Sequence, residues 1–414
     1  MANGGTKALL LAGGYGTRLF PLSLRIPKAM VPVAGRPVLE HLVRVCVSAG
    51  ITDIVVSLNT NQRVIEEYFG DGSRFGAKMS YAYEQSASDE DKLGAIGAIQ
   101  YALEKTGGAS ECVVLGGDNV FYGLDVKAMA AAHKKRGAVA SIALYSLSDP
   151  RDAPQYGIAE VDASSRLVRF KEKPAPHEVF SNKVATAAYY LEESFVREYL
   201  PAYVEKMKAQ GGKADKLGDL WQHFVKELPL YGHAFQGMWG DTNNAKTYIE
   251  AHKQAMNFIA PTSLSGLECT IYRPGNVCVA KARVSPDATI KGPAIIDEGC
   301  VIEAGAVIGA GTHLMKNVTV GKGASVQGSI VFRDCEIGED SRVVDSVLDI
   351  GTRIGREAQV GPYCILGYKS FATPHAKVLS ETRVWPFCEI GAVVSGDVTI
   401  PEELFRHKIV DALY

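Results

Sequence analysis

Between Val284 and Val326 an aliphatic residue returns at every sixth position: Val284, Ile290, Ile296, Ile302, Ile308, Leu314, Val320 and Val326. No other feature constrains the folding of this chain so tightly. A helix shows a period of about 3.6 residues and an ordinary hairpin a period of about 2. A period of six instead demands a solenoid in which every repeat supplies one inward aliphatic residue and one tight turn. Gly299, Gly305, Gly309, Gly311, Gly321 and Gly323 fill the intervals where such turns fall. Three repeats, one per face, then close one coil, which predicts a left-handed parallel β-helix. The register slips by one and restarts at Ile337 and Val343, and again at Ile354, Val360 and Leu366. Inserted loops or partial turns are expected at those slips, which leaves the number of coils open. A solenoid also needs capped ends, and Pro401–Tyr414 is expected to supply a cap or an oligomer contact.

Before Pro261 the pattern is different. Short β-branched runs (Ala8–Leu11, Asp53–Leu58, Met79–Glu84, Cys112–Leu115, Val139–Leu144) alternate with amphipathic stretches (Val38–Ser48, Gln62–Phe69, Ile96–Glu104), as in a Rossmann-like α/β layer with a mostly parallel sheet. Tyr156–Val161 and Arg166–Phe170 read as a hairpin inserted into that layer, and Glu192–Ala209 and Trp221–Glu227 as further helices. The expected domains are therefore 1–260, a linker at 261–276, the β-helix at 277–400 and a tail at 401–414. A chain of 414 residues is long enough for two cores.

Composition narrows the function by exclusion. The formal charge of −2 at pH 7 comes with no basic block, so nucleic acid is not an expected partner and any phosphate site must gather its cations locally. No run approaches the roughly 20 apolar residues needed to span a bilayer, and Met1–Lys7 lacks the apolar core of a signal peptide. A cytoplasmic protein without a membrane partner is expected. The eight cysteines form no CxxC pair and read as buried, reduced thiols.

The chemistry is concentrated in Leu11-Ala12-Gly13-Gly14-Tyr15-Gly16-Thr17-Arg18-Leu19, which follows an apolar strand directly, with Lys28 ten residues beyond Arg18. Glycines let backbone amides approach phosphate oxygens. Arg18 adds a planar fork and Lys28 a mobile point charge. The loop is neither a Walker A loop, which needs Gly-Lys-Ser/Thr, nor a dinucleotide fingerprint, which needs glycine where Leu19 stands.

Gly13–Leu22 together with Pro27–Val33 resembles the signature of sugar-1-phosphate nucleotidyltransferases, and Gly117–Gly123 resembles the GDNxFYG segment of glucose-1-phosphate thymidylyltransferases. The resemblance spans most of Lys7–Asn257 and makes the β-helix a known companion domain. It implies nucleotide binding by Leu11, Ala12, Gly13, Gly14, Gly16 and Thr17, catalysis by Arg18, Lys28 and Asp118, and a metal held by Asp118 and Asp241. Mg²⁺ is the expected cofactor, since hard cations take oxygen ligands. Asp241 lies in a segment similar to WxDTGT, except that Asn243-Asn244 replaces Gly-Thr. Gly157, Glu172 and Lys173 are implied in the sugar-phosphate site, and Thr186 through a degenerate SNxAVTG segment in which Ala187 stands where glycine is usual. Gly94 and either Glu84 or Gln85, with Gln85 preferred, are implied at the nucleobase, across a long spacer at Ser86–Lys92.

The implied reaction forms a nucleotide-sugar and pyrophosphate from a nucleoside triphosphate and a sugar-1-phosphate. Glucose-1-phosphate with dTTP or UTP comes first, and mannose-1-phosphate guanylyl transfer is an alternative. So are a non-catalytic regulatory subunit, and a bifunctional enzyme whose β-helix acetylates an amino-sugar through His313 or His375. A homo-oligomer assembled through the β-helix is expected.

Overall fold

A computed structural model describes residues 5–60, 62–85, 93–258, 270–271 and 277–399. The chain packs into two compact units, Met1–Tyr15 with Val38–Trp239, and Gly16–Pro37 with Gly240–Tyr414. Cys269, the spacer at 86–92, the linker apart from Thr270–Ile271, and the tail at 401–414 lie outside the described residues.

The first unit is built on a nine-stranded sheet in which Glu111–Gly116, Thr6–Leu11, Asp53–Asn59 and Lys78–Glu84 are consecutive parallel neighbours. Ala8, Leu9 and Leu10 are fully buried, which is why such strands read as continuous apolar runs. Val38–Ser48 is helical and buries Leu39, Leu42, Val43 and Cys46, an i, i+3, i+4, i+7 stripe. Lys183–Glu192 runs antiparallel to Glu111–Gly116 and to Ala140–Ser146, and the expected hairpin of Gly157–Val161 and Leu167–Glu172 joins the sheet along it. Asp162 Oδ1 fixes the hairpin turn by accepting from the Ser164 and Arg166 N–H groups.

Two helices differ from expectation. Glu192 ends a strand, and the helix that follows opens with a wide π turn at Phe195–Tyr199 before Leu200–Ala209. Pro201 stands there and has no N–H to close the tighter bond. The second helix is Leu217–Phe224, because its apolar stripe of Leu217, Leu220, Trp221 and Phe224 starts earlier than Trp221.

In the second unit three parallel sheets of nine, seven and seven strands stack in regular repeats, a β-helix of the left-handed hexapeptide kind; the nine include the antiparallel strand Thr270–Ile271. The aliphatic residues Ile302, Ile308, Leu314, Val320 and Val326 line its core. The expected insertions at the register slips are absent among the described residues. Ile296 pairs with Leu314, a coil of 18 residues, whereas Leu314 pairs with Val331 and Val331 with Leu348, coils of 17. The slip is therefore a corner shortened by one residue, which parallel pairing tolerates because the rungs on either side stay in register. Among the described residues six cysteines are free and buried, as expected of reduced thiols. Cys278 departs from that expectation and is disulfide-bonded. The antiparallel pairing of Ile271 with Cys278 turns the upstream chain back beside it, a proximity that linear spacing does not reveal.

Gly16–Pro37 contributes three short 3₁₀ turns, Thr17–Leu19, Leu22–Leu24 and Lys28–Met30. Helix Ala245–Ala255 packs beside it: Tyr248 donates to the Pro32 carbonyl at 2.8 Å, and the Ala34 N–H donates to His252 Nδ1 at 3.1 Å.

Candidate active site

In the first unit the phosphate loop leaves the sheet between two neighbours. The Ala12 N–H donates to Ser57 O, and the Gly117 N–H donates to Leu11 O. Leu11 pairs with Gly116, so Asp118 stands two residues beyond the strand end that adjoins the loop. Open α/β sheets bind ligands outside the carboxyl ends of such strands. A Cβ at Gly13 would overlap the buried Glu84 carboxylate, which would have to move aside. Gln62 Nε2 donates to the Gly14 carbonyl at 3.2 Å. Of the two candidates at the base, Glu84 faces the loop and accepts from the Leu93 N–H, while Gln85 is exposed. Gly94 has φ of 69° and opens the helix Gly94–Lys105; a Cβ there would lie 2.7 Å from Asp215 Cα.

Asn119 Nδ2 donates to Asp118 Oδ1 at 2.6 Å, and Asn119 Oδ1 accepts from Trp239 Nε1 at 2.8 Å. The side chain next to the candidate metal ligand is thus held at both ends. Trp239 also meets the rings of Tyr156 and Tyr145, at 5.0 and 5.9 Å.

Glu172 ends the hairpin strand with its carboxylate wedged between Gly157 and Gly218. A Cβ on Gly157 would lie 2.7 Å from Glu172 Oε2, and one on Gly218 would overlap the same oxygen. Burial raises the Glu172 carboxyl above its ordinary range, and Asp219 adds to this while Lys173 and Lys216 oppose it. Burial also raises the Tyr189 hydroxyl, with the charges of Glu172 and Asp118 both adding to the shift. Lys173 is exposed, at φ of 42°, with its N–H donated to Tyr156 O. Thr186 is fully buried and donates to the Ala143 carbonyl at 3.1 Å, which commits its hydroxyl to the sheet. Ala187 sits at φ of 53° where the strand register shifts, a conformation that glycine adopts more easily.

In the second unit, Gly16 has φ of 67°, and a Cβ there would stand 3.2 Å from the Lys28 Cβ. Lys28 Nζ donates to Asn243 Oδ1 at 2.5 Å, and the Asn243 N–H donates to the buried Asp241 carboxylate at 3.0 Å. Asn244 caps helix Ala245–Ala255, with its Oδ1 accepting from the Thr247 N–H. The replacement of Gly-Thr by Asn-Asn thus supplies one linker between Lys28 and Asp241 and one cap. Thr17 and Arg18 are exposed. Asn243 and Gly218 were not anticipated. Gly218 leaves a signal, since an isolated glycine within an amphipathic helix marks a close approach; Asn243 leaves none.

A glycine loop that leaves a Rossmann-like sheet beside a carboxylate has the form of a place where phosphate groups can be held. The family model described as nucleotidyl transferase matches residues 7–257, and a second, described as GMPPB C-terminal domain, matches residues 290–405. The chain belongs to the nucleotidyl transferase family and is an enzyme of that class. A UTP–glucose-1-phosphate uridylyltransferase of Synechocystis is 29% identical over 83% of this chain and 87% of its own length. Mannose-1-phosphate guanylyltransferase 1 of Arabidopsis thaliana is 26% identical over 91% of this chain and 98% of its own. A Bacillus anthracis protein described as a glucose-1-phosphate thymidylyltransferase, crystallised with sucrose, shares the fold with a TM-score of 0.52 and 24% identity, over 60% of this chain and 94% of its own.

Proposed function

We propose that the chain joins a nucleoside triphosphate to a sugar-1-phosphate, releasing pyrophosphate and a nucleotide-sugar. The observation that carries this reading is Glu172, a half-buried carboxylate fitted between the two glycines Gly157 and Gly218. Glu172 is suited to accept hydrogen bonds from sugar hydroxyls, with Lys173 meeting the sugar phosphate. A phosphate monoester is already a nucleophile at pH 7, so the residues have to position and neutralise rather than remove a proton. One sugar-phosphate oxygen forms a bond to the α-phosphorus as the bond to the bridging oxygen breaks, and pyrophosphate leaves with that electron pair. Arg18 and Lys28 stabilise the charge that gathers on the phosphates.

Magnesium fits the donor set. Among the described residues there is no cluster of three or more His, Cys, Asp or Glu, and Mg²⁺ needs only one or two carboxylates, completing its shell with waters and substrate phosphates. Asp118 and Asp241 would each serve as a ligand, and the ion when bound would offset the charge of the triphosphate.

Glucose-1-phosphate with dTTP or UTP is the first pairing. Mannose-1-phosphate with GTP is a second, favoured by the match of residues 290–405 to the GMPPB C-terminal domain. Acetyl transfer by the β-helix has less support. His313 is buried, 3.3 Å from Asp297 and stacked on His252, and the exposed His375 lies 3.2 Å from Glu357, so each imidazole faces a carboxylate of the preceding coil. Among the described residues no helix is long and apolar enough to cross a membrane; a cytoplasmic homo-oligomer joined through the β-helix completes the reading.

Pyrophosphate release with Mg²⁺, a panel of sugar-1-phosphates and each of dTTP, UTP, GTP, CTP and ATP tests it. Release with one pair names both substrates, and silence across the panel favours a regulatory subunit. Lys28→Ala and Asp118→Ala are each expected to lower turnover by about 10²–10³, and near-normal turnover in either folded variant overturns the assignment.

A further inference from the structure

The segment that carries Arg18 and Lys28 has no long helix of its own and no strand in a large sheet, only three short turns and the two-residue ladder of Pro32–Val33 with Arg36–Pro37. Its far half, Pro32 and Ala34, is tied to helix Ala245–Ala255; the stretch between Arg18 and Lys28 is steadied by the β-helix. Leu348, Leu366 and Val384 occupy equivalent positions on three successive coils. The residue after each, Asp349, Gly367 and Trp385, forms a ladder along the solenoid axis, and the segment meets all three rungs in order. The Phe20 ring meets Trp385 edge-on at 6.0 Å. Pro21 packs on Gly367, where a Cβ would lie 3.0 Å from its Cγ. Arg25 reaches Asp349 at 3.6 Å and lays its guanidinium over the Tyr368 ring, 4.0 Å from the centroid.

The Arg25 contact is the specific one. Asp349 is fully buried and the Arg25 side chain is 18% exposed. Asp349 Oδ1 also accepts from the Ile350 N–H at 2.7 Å, while Asp349 Oδ2 and Arg25 Nε are buried without a hydrogen-bond partner. An apolar pair of the same volume would pack at this position without that desolvation. A buried charge pair set at one height on a regular solenoid, whose rungs otherwise look alike, instead defines one register for the segment. Arg25 stands three residues before Lys28 and seven after Arg18, so a slip of the segment along the ladder would move both phosphate-binding cations.

We propose that Asp349 and Tyr368 are positioning residues for nucleotidyl transfer: by seating Arg25 on the β-helix they set where Arg18 and Lys28 stand. This rests on the nucleotidyl-transfer reading above. The β-helix is then a part of the catalytic apparatus, and a ligand or partner that shifts these coils has a direct route to turnover.

The test compares wild type with Asp349→Asn, Arg25→Met, the double variant, Tyr368→Ala and Tyr368→Phe, reading steady-state kinetics and amide hydrogen exchange on each full-length protein. In Asp349→Asn, kcat is expected to fall about 10- to 100-fold, as for a small misplacement of a charge-stabilising group. KM for the sugar phosphate should stay within about twofold, since Gly157, Glu172 and Gly218 are untouched. Exchange over residues 16–37 should rise about tenfold while the coils stay protected. Arg25→Met and the double variant should match the single loss, the non-additivity expected of one linked unit. Tyr368→Ala should weaken the seat, and Tyr368→Phe, which keeps the ring face, should restore it. Unchanged kcat and exchange in folded Asp349→Asn overturn the proposal, and so does exchange that rises equally across the coils, which marks a merely structural pair. Should wild type release no pyrophosphate with any substrate pair, the function reading fails by itself, and the exchange arm still decides whether Asp349 holds the segment.

Discussion

Gly218 shows how a residue with no side chain sets the chemistry of another. It leaves just enough room for the Glu172 carboxylate, which Gly157 bounds on the other side. A methyl group at 218 must push that carboxylate away. Gly218→Ala should therefore raise KM for the sugar phosphate about tenfold or more, the loss of one hydrogen bond to a charged group, while KM for the nucleotide stays unchanged; a normal sugar-phosphate KM would remove Glu172 from that role. Asp349 makes a different prediction. Burial pushes its carboxyl up from 3.8 to about 6, against the lowering effect of Arg25 and Arg333. The folded chain thus holds this proton more tightly than the unfolded chain. The stabilisation is complete below pH 3.8 and is lost as the pH rises through about 6. Relative to Asp349→Asn, wild type should lose stability across that window, by at most about 3 kcal/mol, and no more above it. Urea midpoints of both proteins from pH 4 to 7 check the sign, and parallel curves would refute it.

Among elements, the β-helix corners carry an unusual backbone. Lys281, Gly299, Asn317, Asp334, Gly351, Lys369 and Phe387 form one column of positive-φ residues, and Gly311, Gly328, Asp345, Tyr363 and Glu381 another. Most are not glycine, and each side chain in that conformation is strained by about 1–2 kcal/mol. Stacking offsets part of this where a side chain leans on a neighbouring coil, as Phe387 does against the Tyr368 ring, 5.4 Å between centroids. Glu381 is exposed at φ of 61°. Glu381→Gly is expected to raise stability by about 0.5–1 kcal/mol after the added flexibility of the unfolded chain is counted; a lower melting temperature would contradict the strain argument. The repeat was legible because each face buries one aliphatic residue per coil, a demand that every rung repeats. The one-residue slips were misjudged because a shortened corner and an inserted loop shift the pattern alike, and only strand pairing tells them apart.

For the molecule as a whole, the compact units do not follow the chain order. Gly16–Pro37, with the second half of the phosphate loop, packs with Gly240–Tyr414. A chain ending at Asn257 keeps the residues of the nine-stranded sheet and loses the ladder that seats Phe20, Pro21 and Arg25. It should retain far-UV dichroism typical of an α/β layer and release no pyrophosphate above background; wild-type turnover in that truncation would contradict the dependence. The amino-acid sequence by itself determined both architectures and the glycine loop with Arg18 and Lys28, because periodicity and turn chemistry are local demands written on consecutive residues. Asp118 and Glu172 were legible only through motif resemblance. The seating of Arg25 on Asp349, the fit of Glu172 against Gly218, the bridge of Asn243 between Lys28 and Asp241, and the choice of Glu84 over Gln85 beside Gly13 were decided by the tertiary structure. Each depends on which distant residue the fold brings within a few ångströms, and packing of that kind leaves no period in the chain.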